Sequence, residues 1–324
     1  MLPRALALLV LGWSTAAHAG FEVVALGVDG GVRDGNLTAY LLRADGEPTF
    51  LALDAGSLLS GIARGLELGS FPDVDAAAAK PLTPQGHVFR KLVGAVFVSH
   101  PHLDHVAGLV LGSPSDTKKP LYGLATTLDA LVASVFNGTL WANFTDRGAG
   151  IGLYPLRPLT PGVPAPLAPT GLTGQVHRLS HAGQGSSMLL VTKGAEAFAY
   201  FGDTGPDAVD HATALGDAWA ALAPLVAAHR LKGLILECSY PNAQPDDRLY
   251  GHLTPRWLLA ELKRLEAAAG GPGALKGLPV VISHVKPSLD AGADPEATIL
   301  KELNDANDLG VVFVRLKQGE RRTF

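Results

Sequence analysis

Short apolar runs separated by tight-turn residues mark the first sixty positions of the chain. Phe21 to Val28 reads as a strand, Gly30-Gly31 as a turn, and Leu37 to Arg43 as a second strand ahead of Asp45-Gly46. Phe50 to Leu53 is a third strand, running into Asp54-Ala55-Gly56. Short strands joined by such turns predict a mixed sheet rather than a purely doubly wound one. Leu92 to Ser99 is a continuous apolar and β-branched run, the pattern of a strand buried on both faces. Val176 to Leu179, Ala197 to Phe201 and Leu278 to Ile282 are further strands of the same reading, and Leu234 to Leu236 suggests another. Thr126 to Val135, Ala214 to His229 and Pro255 to Ala269 carry apolar residues at helical spacing and are expected to cover the sheets. Tyr154 to Gly174 is rich in Pro and Gly, lacks periodicity, and is expected to be a surface loop. With no internal repeat and no linker, residues 20–324 are expected to form one domain.

Composition narrows the class. Hydrophobic residues make up 47% and charged residues 17% of the chain, which excludes disorder and fits a densely packed α/β protein. A formal charge of −4 offers no basic surface for a nucleic-acid polymer. A small anionic substrate stays compatible, because a bound metal supplies positive charge locally. Residues 1–19 have the order of a signal peptide: Arg4, an apolar stretch from Ala5 to Trp13, then the small-x-small pattern Ala17-His18-Ala19. The mature chain is expected to begin near Gly20 and to be exported, periplasmic or secreted. No segment reaches about 18 uninterrupted apolar residues, so a membrane span is not expected. Cys238 is alone, which removes any disulfide framework, and its apolar neighbours suit a small core filler better than a nucleophile. Oligomeric state, a homodimer included, is left open.

The chemistry concentrates at strand ends. His100-Pro101-His102-Leu103-Asp104-His105 places four potential metal ligands within a compact loop beyond the Leu92 to Ser99 strand. Imidazole nitrogen and carboxylate oxygen suit divalent zinc first, with manganese and iron able to use the same donors. So many donors exceed the needs of one ion and point to two. Three later strands end in Ser180-His181, Gly202-Asp203 and Ser283-His284, so four strand ends deliver ligand-type side chains, where open α/β sheets gather their chemistry. An isolated His or Asp after a strand is ordinarily a cap or a surface residue, and these gain meaning only behind the histidine-rich loop. His87, His177, His211 and His229 lie outside these blocks and read as structural or solvated. Asp54 is a candidate to orient the ligand loop from behind. Gly30-Gly31 lacks the strand-to-helix context of a phosphate cradle and reads as a turn.

The run His100 to Pro114, HPHLDHVAGLVLGSP, resembles the signature of class II 3′,5′-cyclic nucleotide phosphodiesterases of the metallo-β-lactamase superfamily. The HxHxDH core alone marks the superfamily, whereas Gly108, Leu109 and Ser113-Pro114 point to the phosphodiesterases. Leu53-Asp54-Ala55-Gly56, Ser180-His181, Phe201 to Gly205, Glu237-Cys238-Ser239, His252 to Pro255 and Ser283 to Lys286 follow in that family's order. The resemblance implies a four-layer αββα sandwich of two mixed sheets, with the site at one edge between them. It implies one ion on His100, His102 and His181, a second on Asp104, His105 and His284, and Asp203 bridging the two. It further implies hydrolysis of a small cyclic nucleotide to a 5′-monophosphate by a hydroxide shared between the ions. His252 resembles the superfamily's non-ligand histidine and is assigned as general acid, with Glu237 orienting it and Asp104 counted in the catalytic set.

The runner-up is another hydrolase on this scaffold, a lactonase, sulfatase or β-lactamase, since fold does not fix substrate. Asp203 weighs against the β-lactamase, which generally lacks that bridging carboxylate. A non-catalytic exported metal-binding protein is the rival outside catalysis, and the filled set of ligand and acid positions weighs against it.

Overall fold

The computed structural model describes residues 20–324, and the expected signal segment lies outside the described residues. Fourteen strands among those residues form two mixed seven-stranded sheets. The first takes β1 (Phe21–Gly27), β2 (Ala39–Ala44), β3 (Phe50–Leu53), β4 (Val93–Phe97), β5 (Leu121–Leu124) and β6 (Leu156–Leu159) in sequence order. The C-terminal β14 (Arg321–Thr323) closes its edge beside β1. In the second, β7 (Ala165–Pro166), β8 (Thr173–His181), β9 (Gln184–Lys193), β10 (Glu196–Phe201), β11 (Leu231–Glu237), β12 (Pro279–Ser283) and β13 (Val312–Val314) are likewise neighbours in order. Each sheet is antiparallel at one side and parallel at the other: β3 to β6 in the first, β10 to β13 in the second. The parallel halves, together with β8, which runs in the same direction as β10, supply the carboxyl ends at which the candidate ligands stand.

Helices cover both outer faces. On the first sheet lie α1 (Leu58–Glu67), the single turn α2 (Pro84–His87), α3 (Leu103–Gly112) and α4 (Ala125–Ser134). On the second, after the short α5 (Asp207–Asp210), lie α6 (Ala214–Ala227), α7 (Pro255–Ala268) and α8 (Pro295–Asp305). Three apolar clusters account for the layering. Val24, Leu26, Val96 and Val98 meet α1 and α3 through Leu58, Ile62, Val106 and Leu109. Phe21, Leu42, Phe97, Leu189, Phe198 and Ile235 interdigitate between the sheets. Leu234, Leu236 and Ile282 meet Leu215, Trp219 and Leu222 of α6 and Leu258, Leu262 and Leu265 of α7, apolar residues at the i, i+4, i+7 spacing of one helical face. Each such side chain taken from water contributes about 1.5–3 kcal/mol, so the αββα stack follows from which strand faces are apolar.

Two expectations need correction. Tyr154 to Gly174 is not a structureless loop, because it contains β6 and β7 and buries Leu156, Leu159, Leu167 and Leu172. Pro158 and Pro166 stand on edge strands, where a missing N–H is tolerated, the other prolines lie in the connections, and so few buried positions produce no readable period. The histidine-rich segment is a loop only as far as His102, which stands at the N-cap position of α3, and Asp104 and His105 belong to the first turn of that helix.

Candidate metal centre

Glycines set how closely α3 docks. A Cβ on Gly56 would lie 2.2 Å from the Asp104 carbonyl oxygen, and one on Gly108 would lie 2.7 Å from the Leu58 nitrogen. In their absence the backbones join, with Ala55 N donating to His105 O at 2.8 Å and Gly108 N to Gly56 O at 2.9 Å. Asp104 and His105 are thereby held over the ends of β3 and β4. From the second sheet, His181 ends β8, Asp203 follows β10, Glu237 ends β11 and His284 follows β12. His252 lies in the turn before α7. All of these converge at one edge between the sheets, and all but His102 and Asp104 are buried.

Hydrogen bonds fix the imidazole tautomers. His105 Nδ1 donates to Asp54 Oδ2 at 2.7 Å, and His181 Nδ1 to the Gly251 carbonyl at 2.8 Å. Ser99 Oγ donates to Asp54 Oδ2 at 2.6 Å, so it accepts from His100 Nδ1 at 3.0 Å. Ser239 Oγ donates to Glu237 Oε2 at 2.7 Å and accepts from His284 Nδ1 at 3.0 Å. Four rings therefore present a bare Nε2, while His102 turns its Nδ1 to the same space, 3.0 Å from His100 Nε2 and 3.3 Å from His181 Nε2. Bare lone pairs facing one another in a buried space repel unless a cation lies among them.

The donor set fits two ions. His100, His102, His181 and Asp203 form one group, and Asp104, His105, Asp203 and His284 another, with the ligating atoms of each within 4.8 Å. Donors of a tetrahedral zinc, about 2.0–2.2 Å from the ion, stand roughly 3.3 Å from one another. Asp203 Oδ2 lies 3.6 Å from His100 Nε2 and 3.8 Å from His181 Nε2. In the second group, His284 Nε2 lies 3.1 Å from both Asp104 Oδ2 and Asp203 Oδ2. His105 Nε2 is 3.2 Å from Asp203 Oδ1 yet makes no hydrogen bond, because the two atoms are close without being aligned. A buried nitrogen beside a carboxylate, without an aligned hydrogen bond between them, is an arrangement that a shared cation would satisfy.

The electrostatics divide. For His105 burial favours the neutral ring, but Asp203 and Asp54 outweigh it and raise its pKa well above the usual histidine range, so that a cation would have to displace a proton there. His100, His102 and His284 shift instead toward neutrality. Burial, followed by the neighbouring His105 charge, holds His100 well below the usual histidine range, and burial likewise lowers His102 and His284, leaving neutral imidazoles. Burial would raise Asp203, but His105 and His284 more than offset it and keep its carboxyl ionised. For His252 burial favours the neutral ring, and the Glu237 carboxylate at 2.9 Å from Nδ1 reverses the balance and raises its pKa. Its ring stacks on His284 at 5.2 Å and meets His181 at 4.8 Å, so it overlooks both ligand groups without belonging to either pair.

Sequence reasoning did not single out Ser99, Ser239 or Tyr200. Tyr200 donates across the sandwich to Asp54 Oδ2 at 2.6 Å, and Tyr40 to Ser283 Oγ at 2.8 Å, pinning the sheets together behind the site. The available signal was adjacency, since Ser99 precedes His100 and Ser239 follows Glu237 by two. His87, His177, His211 and His229 belong to neither ligand group.

Comparison with known proteins places this geometry in a family. The model of the class II cAMP phosphodiesterases matches residues 21–158 and 170–319. A Yersinia pestis protein described as a probable 3′,5′-cyclic-nucleotide phosphodiesterase is 51% identical over 314 residues, 96% of this chain and 92% of the relative. Unliganded yeast PDE1 superposes with a TM-score of 0.82 at 23% identity, covering 94% of this chain and 99% of the other. The metallo-β-lactamase fold protein YhfI of Bacillus subtilis gives 0.61 at 16% identity, covering 94% and 100%. The αββα sandwich is thus the metallo-β-lactamase fold, and the chain belongs to the class II cAMP phosphodiesterases.

Proposed function

We propose that the chain hydrolyses 3′,5′-cyclic nucleotides to nucleoside 5′-monophosphates with two divalent ions, zinc being the best match to the donors. The observation that carries this reading is the convergence of two ligand groups sharing Asp203, beside a histidine that neither group uses. His100, His102, His181 and Asp203 would hold one ion, and Asp104, His105, His284 and Asp203 the other. Bound there, the ions would supply charge neutralisation for the phosphoryl oxygens and an acidified water as nucleophile. The remaining work falls to the chain. Glu237 accepts a hydrogen bond from His252 Nδ1, leaving Nε2 as the free ring nitrogen, and against the effect of burial it raises the pKa of the ring and so favours the protonated form. Nε2 then gives its proton to the departing 3′ oxygen, which would otherwise leave as an alkoxide. Asp54 and Ser99 on one side, and Ser239 and Glu237 on the other, fix ring orientation before substrate arrives.

The Arg4, Ala5 to Trp13 and Ala17-His18-Ala19 pattern supports export with cleavage before Gly20. Among the described residues no helix is long and apolar enough to cross a membrane. Product analysis on cyclic AMP and cyclic GMP, with metal content measured before and after chelation, tests the enzymatic reading. Two ions bound with no turnover of either nucleotide would refute it and favour a non-catalytic metal-binding protein.

A further inference from the structure

A groove apart from the metal centre lies at the opposite end of β4. Leu92 borders the groove and His100 ends the strand's exit loop, eight residues on, so roughly 25 Å of extended chain separates the two places. The groove encloses about 550 Å³. Lys80, Arg90 and Lys91 line it together with His87, no carboxylate does, and Leu82 and Leu92 contribute apolar wall.

Arg90 is the unusual member. Its Nε is buried without any hydrogen-bond partner, and a buried guanidinium nitrogen left unpaired calls for an acceptor that the chain does not provide. The residue sits in a π-helical turn, Val88–Leu92, a conformation that recurs at functional sites. That turn is braced from outside: Lys119 Nζ donates to the Phe89 carbonyl at 2.7 Å and Thr117 Oγ1 to the Arg90 carbonyl at 2.7 Å. The buried carboxylate Asp116 is engaged by Lys119 at 2.8 Å and by the Tyr154 hydroxyl at 2.9 Å. Positive charge is therefore uncompensated on the groove side, and the Arg90 charge lowers the pKa of Lys119, after burial has done so more strongly.

We propose that this groove is a second binding site, separate from the metal centre, for a small organic anion whose carboxylate or phosphoryl head meets Arg90 and Lys91 while its apolar body lies against Leu82 and Leu92. Charge complementarity selects the head, and the apolar wall selects against a bare inorganic ion. The reading does not depend on which ester the metal centre hydrolyses.

Calorimetric titration of the metal-loaded protein with hexylphosphonate, hexanoate, inorganic phosphate and hexanol tests it. Hexylphosphonate or hexanoate should show a binding event that Arg90→Gln weakens roughly tenfold or more, as expected for loss of a hydrogen bond to a charged group. Lys91→Gln, at an exposed position, should weaken the same event without endangering the fold. Whichever head group binds more tightly identifies the ligand class. Both variants should keep the wild-type rate on cyclic nucleotide, which also shows that they are folded. Unchanged anion binding in both variants overturns the proposal, as does hexanol or inorganic phosphate binding as tightly as the amphiphilic anions.

Discussion

His252 donates from Nδ1 to Glu237 Oε1 across 2.9 Å, while the other oxygen of that carboxylate receives the Ser239 hydroxyl at 2.7 Å. One buried acid thus sets the proton of the proposed general acid and, through Ser239, the tautomer of the proposed ligand His284. Burial alone would lower His252, and Glu237 is the largest influence raising it. A raised pKa means that the protonated form persists above the ordinary histidine range and disappears only as pH rises through the shifted value. Glu237→Gln should therefore move the alkaline limb of the pH–rate profile to lower pH while the metals stay bound. An alkaline limb in the same place for both proteins would remove Glu237 from this role.

His252→Ala should leave metal content at the wild-type level and lower turnover by roughly 10²–10⁴, the range for losing a positioned acid. His252 Nδ1 comes no nearer than 3.9 Å to Asp203 Oδ2 and is taken by Glu237, which argues against a ligand role. Metal analysis beside steady-state kinetics separates the two, since loss of an ion in the variant would make His252 a ligand.

The ligand-bearing strand ends were legible because each is an apolar run stopped by a polar residue, and β4, β10 and β12 appear within two residues of their expected limits. The Gly108 and Ser113-Pro114 continuation was legible as a family mark, but its physical reason was not. Gly108 clears the Leu58 nitrogen and Ser113 Oγ accepts from Trp141 Nε1 at 3.0 Å, contacts between segments far apart in sequence. α1 and α8 were missed although their period was readable: Leu58 and Ile62, and Ile299 and Leu303, bury one face of each helix opposite a polar one. Of the partners behind the rings, Asp54 and Glu237 were singled out, Ser99 and Ser239 were signalled only by adjacency, and Tyr200 was unreadable because it reaches Asp54 across 146 residues of chain.

Ser99 and Ser239 make a matched pair of tests. Each stands between a ligand imidazole and a buried carboxylate, Ser99 between His100 and Asp54, Ser239 between His284 and Glu237. Ser99→Ala should weaken the ion held by His100, and Ser239→Ala the ion held by His284, each by roughly 10–100-fold. Competition against a metallochromic chelator measures both constants. Loss of catalysis with unchanged affinity for both ions would mean that the hydroxyls do not orient the ligands.

Removing the metals should destabilise the fold as well as stop turnover. Chelation leaves His105 Nε2 buried without a hydrogen-bond partner, and leaves the facing nitrogens of His100, His102 and His181 with at most one proton, on His102 Nδ1, between them. Ion binding to the folded state alone stabilises it by mass action, about 2.7 kcal/mol when free metal is a hundredfold above its dissociation constant. The thermal midpoint should fall on chelation and recover on adding zinc. A midpoint indifferent to chelator would contradict a buried two-ion centre.

Gly30 provides the sharpest steric test. The His284 imidazole lies directly over its Cα: a Cβ there would come within 2.4 Å of both Cε1 and Nδ1, too close for either to remain. The ring has little freedom to yield, because Nδ1 is bonded to Ser239 and Nε2 lies 3.1 Å from Asp104 and Asp203, while its own backbone is left-handed at φ 56. Gly30→Ala should therefore expel His284 from the second ligand group, lowering affinity for one ion and activity with it, while the first group of His100, His102 and His181 still binds. Gly31→Ala is the control. Its φ of +81 makes alanine strained, yet the nearest atom to a Cβ is Lys286 Nζ at 3.8 Å, so it should cost about 1 kcal/mol of stability and retain both ions. If Gly30→Ala bound two ions with wild-type affinity, His284 would not be a ligand of the second ion, and the assignment of that residue to the second group would fall.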